Sequence, residues 1–219
     1  MRTMKAAELV LDFDLYPRNN LDAHNVRCIQ EAMALGVELP PVIIERKTKR
    51  VVDGFHRVRA KLKQDPNGEL QVIEKTYKND ADMFLDAMRY NATHGARLDP
   101  CDRTRCVLIA ERLSIPMDAV AGALHVSEDK LGDLRNTRTA TTRAGLTIPI
   151  KRTMQHMAGR RFTKAQCEAN NRSSGMNQVF YVNQLVDLIE SGLLNKEDEK
   201  LIERLQHLHG LLETMLAAV

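Results

Sequence analysis

VVDGFHRVRA, residues 51–60, says more about the fold than any other stretch of the 219-residue chain. Two valines end an apolar strand, Asp53-Gly54 makes a corner, and a helical run begins at once. Glycine reaches backbone angles closed to other residues and lets a ligand approach the main chain. The first amides of a helix have no partner within it, and the positive end of its dipole lies behind them. A corner of this kind takes phosphate readily. His56, Arg57 and Arg59 follow in the opening of the helix, where an exposed cation costs about 0.3–1 kcal/mol against the dipole unless an anion is present. On these residues alone two readings stay open: a phosphate site, or an ordinary strand–turn–helix with its cations in solvent.

Working outward, residues 8–16 alternate apolar and polar and predict a half-buried strand. Asn20 is placed to cap a helix over 21–35 that ends at Gly36. Pro40 and Pro41 precede the apolar strand VIIERKT, and Lys49-Arg50 turns into VVDG. The helix from Phe55 runs to Gln64, where Asp65-Pro66-Asn67-Gly68 stops it, and Gln71–Tyr77 reads as a further strand. From Asn79 the pattern is helical, with Met83, Ala87, Met88 and Asn91 on one face. Pro100 opens the next helix. Residues 117–138 predict two short helices and a tight turn, and 146–158, 163–171 and 176–192 predict more helices. In 196–218, Leu201, Leu205, Leu208, Leu212 and Met215 are spaced as a heptad seam. The expected class is α+β: a small α/β domain over 1–97, a two-helix DNA-binding type of domain over 98–145, and basic linker helices with a dimerising C-terminal segment over 146–219. Everything after the first domain is expected to be helical.

The net charge of +3 is too small by itself to name a partner. Its distribution says more, because residues 135–172 hold nine Lys/Arg against Glu168 alone, while 173–219 hold three against seven acids. A polyanion has one place to bind. No apolar run approaches the roughly 20 residues that span a bilayer. Glu8, Asp12 and Asp14 stand where a signal peptide would be apolar. A soluble, cytoplasmic, nucleoid-associated protein with no membrane partner is expected. Four cysteines without a CxxC fit reduced thiols, and Cys101 and Cys106, five apart, diverge too far on a helix to ligate one metal.

The corner at Gly54 resembles the GERRxRA box of the ParB family. Gly54, Arg57, Arg59 and Ala60 match it, with Phe55 and His56 in place of the glutamate and first arginine. Tyr16-Pro17-Arg18 resembles the family's early proline-arginine box, and Gly36 with Pro40 or Pro41 its second element. Asn91 followed by Leu98-Asp99-Pro100 resembles the ENxxR box and what succeeds it, with Tyr90 and His94 replacing glutamate and arginine and one extra residue between. The order of boxes covers roughly residues 8–140. The resemblance implies a ParB/sulfiredoxin-like domain that binds CTP or another nucleotide through Arg18, Asp53, Gly54, Phe55, His56, Arg57, Arg59, Asn91 and His94. Family members hold Mg²⁺ with two carboxylates that this chain lacks, at Phe55 and Tyr90. Asp53 and Asn91 are the oxygen donors left for the metal, so a ParB-type CTPase would have weakened metal ligands. The DGxHR form also resembles free-serine kinases on this fold and ParB-like activators of antibiotic clusters. A kinase would need a carboxylate base such as Glu31 or Glu38. Sulfiredoxin carries a cysteine where Phe55 stands, which sets its repair chemistry aside.

Residues 120–134, VAGALHVSEDKLGDL, fit a helix-turn-helix through Ala121, Leu124, Val126, Ser127, Leu131 and Leu134, with His125 at the usual turn glycine. They also fit any helical hairpin. Glu128, Asp129 and Asp133 face phosphates unfavourably, so base reading by the second helix is left open. Ser127, Lys130, Arg135, Arg138, Arg143, Lys151, Arg152, Arg160 and Arg161 are the candidate DNA contacts. The expected function is DNA binding linked to nucleotide, in partition of a plasmid, phage or chromosome or in transcription regulation, as a homodimer and with a partition ATPase as a candidate partner. A kinase or nuclease, and a structural module with an inert pocket, are the alternatives.

Overall fold

The computed structural model describes residues 2–93, 97–173 and 176–218. They form two units, Met1–Gly175 and Met176–Val219. The first strand is not the alternating run at 8–16 but β1, Arg2–Lys5. The alternation at 8–16 arises from two 3-10 turns, Ala6–Glu8 and Phe13–Leu15, with one bridge from Val10 to Arg50 between them. Tight turns with three residues per turn also return apolar side chains inward at short intervals, which imitates a strand.

Helix α1, Ala23–Ala34, is capped by Asp22 rather than Asn20; its carboxylate accepts from the amides of His24 and Asn25. Strands β2, Val42–Glu45, and β3, Val51–Asp53, form the expected hairpin. Helix α2 runs Phe55–Gln64, and β4, Glu69–Lys75, returns between β1 and β2. The sheet order is β1-β4-β2-β3, with β2 and β4 parallel and the outer pairs antiparallel.

Helix α3, Asp80–Thr93, then turns Met83, Phe84, Ala87 and Met88 into the largest core. Phe84 is fully buried. Truncating such a phenylalanine to alanine costs roughly 3–5 kcal/mol, a large part of the ~5–15 kcal/mol that holds a domain folded. The same core takes in Ile43 and Val52 of the sheet and residues of α4, Pro100–Arg112, α5, Met117–Leu124, and α6, Glu128–Thr137. Pro100 opens α4 as expected, and Asp99 and Asp102 close a reciprocal capping box around it. Between α5 and α6, His125 adopts the left-handed conformation at φ 53° and Ser127 caps α6 by accepting from the Lys130 amide.

The α+β class holds, but the part after residue 97 is not all-helical. The span 146–158 is no α-helix: a strand takes its first part and a short 3-10 turn its second. Strands β5, Thr139–Thr142, β6, Thr147–Pro149, and β7, Arg161–Phe162, make a second sheet in the order β6-β5-β7. A six-residue 3-10 segment, Arg152–Met157, lies between β6 and β7, and α7, Lys164–Arg172, follows. Threonines and Ile148 favour the extended chain, and Gly145 at φ 83° turns it back. Ala140, Ile150 and Phe162 form the small core of this subassembly. In the second unit, α8, Gln178–Glu190, and α9, Glu199–Leu216, contain no buried residue among those described. Leu212 and Met215 of the predicted seam are exposed.

A non-glycine residue in the left-handed region costs roughly 1–2 kcal/mol, and glycine gives back about 0.4–1 kcal/mol through a freer unfolded chain. His125→Gly is therefore expected to stabilise the protein by about 0.5–1 kcal/mol, read as a higher urea midpoint at constant slope. A lower midpoint would mean that the imidazole makes a contact worth more than the strain.

Candidate functional site

At the end of β3, Gly54 takes φ 103° and ψ 21° as the N-cap of α2. A Cβ there would stand 3.0 Å from Arg57 Nη2 and 3.1 Å from Val42 Cγ2. Glycine is thus required both by the backbone angle and by the closeness of the arginine. Arg57 does not reach outward. Its Nη1 donates to the carbonyls of Pro40 and Pro41 at 2.5 and 3.0 Å, and its Nη2 to Asp53 Oδ2 at 2.6 Å. The guanidinium ties the Pro40-Pro41 segment to the end of β3, and its side chain is 14% exposed. Phe55 is core: its ring stacks on Tyr16 at 4.2 Å and meets Phe13 edge-on. Arg59 is exposed, with no ion pair among the described residues. The cations expected to ring one corner are divided between separate places.

His56 and Arg18 meet instead in a cleft of about 280 Å³ beside the start of α4. One wall is Arg18, Asn19, Asn20, Asp22 and Asn25, the other Arg97, Asp99, Cys101 and Asp102, and Lys151 lies at the edge. An adjoining hollow of about 200 Å³ shares Asp99, Cys101 and Lys151 and adds Arg138 and Arg152. Arg18 donates through Nε to Asn91 Oδ1 at 3.1 Å, and its Nη1 is 3.8 Å from Asp102. Asn91 in turn donates to the Ala87 carbonyl. Asp102 accepts twice from Asn19, at 2.9 and 3.1 Å, while burial and the nearby Asp99 hold its carboxyl above the usual range. Burial and, after it, Arg18 lower the pKa of His56. The Asp22 amide donates to His56 Nε2 at 3.1 Å, a bond that only a neutral imidazole accepts.

The segment bearing Arg18 is held from α4. Arg105 donates to the carbonyls of Tyr16 and Phe13, Cys106 to Pro17 and Arg112 to Asp14. Burial pushes the Cys101 thiol up to about 12 and raises Cys106 further, so neither supplies a thiolate near neutrality. Tyr16 is buried and its hydroxyl has no partner among the described residues. An orphaned buried hydroxyl costs about 1–3 kcal/mol.

The donors expected for Mg²⁺ do not suit it. Asp53 is bound to Arg57 and Asn91 Oδ1 to Arg18. A hard dication needs several free oxygens, and no group of three His, Cys, Asp or Glu gathers among the described residues. His94 lies outside the described residues. The sequence reading missed Asp102, Arg97 and the part of Lys151 in the cleft. The capping signature Asp99-Pro100-x-Asp102 was the available signal for the first.

Of the candidate DNA contacts, four are engaged within the protein. Ser127 caps α6, Lys130 pairs with Asp133 at 3.0 Å, and Arg135 pairs with Glu111 at 2.8 Å. Lys151 Nζ donates to the carbonyls of Asn171 and Ser173 beyond the end of α7. Arg138, Arg143, Arg152, Arg160 and Arg161 have no hydrogen-bonded or ionic side-chain partner among the described residues.

Gly54→Ala is expected to destabilise by about 1–3 kcal/mol in urea unfolding, through its left-handed strain. For His56 the sign follows from its lowered folded pKa. The unfolded chain takes up a proton first as pH falls below about 6.5, so stability is complete above that value and drains from there down to the folded pKa. His56→Gln, whose carbonyl accepts at any pH, is expected to remove this part of the pH slope. An unchanged slope would assign it to another group.

No protein-family model matches the chain. Over 141 residues it is 29% identical to the streptomycin biosynthesis operon possible regulatory protein of Streptomyces griseus, covering 63% of this chain and 39% of that protein. Over 62 residues it is 37% identical to the transcriptional regulator NovG of Streptomyces niveus, covering 28% and 19%. The chain spans less than half the length of either relative. In structure it is similar to the C-terminally truncated chromosome-partitioning protein ParB from Caulobacter crescentus complexed to the centromeric parS site, at 13% identity and TM-score 0.45 over 63% of this chain and 71% of that one. It is also similar to that truncated ParB complexed with CTP-gamma-S, at 13% identity and TM-score 0.37 over 62% and 77%. A Pnob8-like ParB-N domain is similar at 15% identity and TM-score 0.39 over 68% and 56%. The chain is thus similar in sequence to Streptomyces regulators and in structure to ParB proteins.

Proposed function

We propose that the chain is a ParB-like DNA-binding regulator whose cleft between Arg18, His56, Arg97 and Lys151 takes a nucleotide. One observation carries this reading: the cleft is built jointly by the loop before α1, the start of α2, the start of α4 and Lys151. An anion there touches both the α/β part and the helices that continue into α5 and α6. Arg97, Arg18 and Lys151 supply positive charge against the carboxylates of Asp22, Asp99 and Asp102, and the opening turn of α2 adds its dipole. Its volume is near the lower end of the ~300–1,000 Å³ common for ligand sites. CTP is the first candidate because of the sequence boxes. With Asp53 and Asn91 both engaged by arginines, binding is expected to need no Mg²⁺ and no hydrolysis step is assigned. Glu31 and Glu38 do not line the cleft, so neither serves a kinase as base there.

Helices α5 and α6 act as a helix-turn-helix in this reading, supported by the left-handed His125 turn and the Ser127 cap. The names of the sequence relatives favour control of transcription over partition, so no partition ATPase enters. The uncovered apolar residues of α8 and α9, among them Val182, Ile189, Leu212 and Met215, favour pairing with a second copy.

Isothermal titration with CTP, ATP and ADP, with and without Mg²⁺, tests the pocket. Triphosphate binding of similar strength with and without the metal is expected. Arg97→Ala should weaken it about tenfold, the worth of one charge-assisted contact. Absence of heat with every nucleotide would reject the pocket. Sedimentation of the full chain should show a dimer, and a monomer at all concentrations would reject the pairing.

A further inference from the structure

The free cations of the basic segment are not on α6. They lie on and around the second sheet, which follows α6 with only Arg138 between. The β5–β6 hairpin is a short, well-closed ribbon. At its end the Thr142 amide donates to the Leu146 carbonyl, the Leu146 amide donates to Thr142 Oγ1, and Gly145 donates to the Thr142 carbonyl. Its tip, Arg143 to Leu146, is exposed, and Leu146 is 65% exposed. On the other edge of β5, Arg161 of β7 is paired with Thr141, which is paired in turn with Thr147. Residues directly opposed in a sheet share a face. Thr141, Thr147 and Arg161 therefore share one face, while Ala140 and Phe162 enter the small core on the other. Arg160 precedes Arg161 and is also exposed.

The charges favour a duplex here. No Asp or Glu occurs from residue 134 to residue 167. Arg143, Arg160 and Arg161 have no ionic partner among the described residues, whereas α6 opens with Glu128 and Asp129 and its Lys130 is neutralised by Asp133. The groove of B-DNA admits a two-stranded ribbon as well as a helix, and arginines positioned along it meet the phosphates on either side.

We propose that the β5–β6 hairpin, with Arg143 at its tip and Arg160 and Arg161 on the adjoining strand, is a wing that grips DNA beside α6, and that this wing rather than the first turn of α6 supplies the electrostatic hold. This rests on the DNA-binding reading above. The test measures binding of the full chain to a labelled mixed-sequence duplex across a salt series. Each phosphate contact contributes about −0.9 to the slope of log K against log salt. With about four contacts the natural chain should show a slope near −3.6. The triple variant Arg143→Ala, Arg160→Ala, Arg161→Ala should flatten it by about 2.7 units, whereas Lys130→Ala should leave it unchanged. These side chains make no internal bonds among the described residues, and circular dichroism with a urea midpoint checks that the variant remains folded. A triple variant with the natural slope, or a Lys130 variant that flattens it as much, overturns the wing. A natural chain that binds no duplex at any salt overturns the DNA-binding reading and the wing together.

Discussion

The arrangement of the first unit depends on α4 satisfying the main chain of residues 13–19. That segment carries little regular structure, so its carbonyls need partners from elsewhere. Arg105, Cys106 and Arg112 reach four of those carbonyls from one helix, and Asp102 accepts from Asn19 at the near end. These contacts join groups 83 to 98 residues apart in the chain. Burial disfavours the charged form of Arg105, so its bonds to Tyr16 and Phe13 offset a real desolvation cost. Without this row of contacts, Arg18 would lose its fixed position between Asn91 and Asp102, and the cleft would lose one wall.

Cations in the two halves of the unit have different uses. In the N-terminal part arginines serve as braces: Arg57 on Pro40, Pro41 and Asp53, Arg50 on Asp12 and Asp80, Arg18 on Asn91. A guanidinium suits this work because its planar fork fits several acceptors at once. After α6 the sequence carries no acid until Glu168, and the arginines of the second sheet have no ionic or hydrogen-bonded side-chain partner among the described residues. Net charge hides the contrast, since the chain as a whole is nearly balanced.

Where punctuation was strong, the fold was legible. Gly54 and Asp65-Pro66 bounded α2 to the residue, and Pro100 opened α4. The second sheet was not legible, because its strands are short and its Thr-rich run lacks an apolar alternation long enough to separate period 2 from period 3.6. The cap of α1 went to Asp22 and not Asn20, a choice between two good caps that only the path of the chain decides. For the site, the sequence located the right corner but not the direction of its side chains. Arg57 has the same neighbours in sequence whether it reaches a phosphate or the carbonyls of Pro40 and Pro41. The outcome depends on a loop seventeen residues away.

Lys151 connects the cleft and the second sheet. It stands two residues past the end of β6, its amide donates to Asn170, and its amine reaches the chain beyond α7 while its side chain lines the cleft. In the proposed reading, an anion in the cleft would compete with those carbonyls for the same ammonium. A ligand shifts a conformational equilibrium only by its difference in affinity between the two states. The difference available here is whether the amine faces the chain after α7 or the guest. The chain runs only two residues from the end of β6 to Lys151, and β6 leads back to the hairpin tip that carries Arg143. On that reading, coupling between the cleft and the sheet would need no long relay, only a lysine with two competing sets of oxygens.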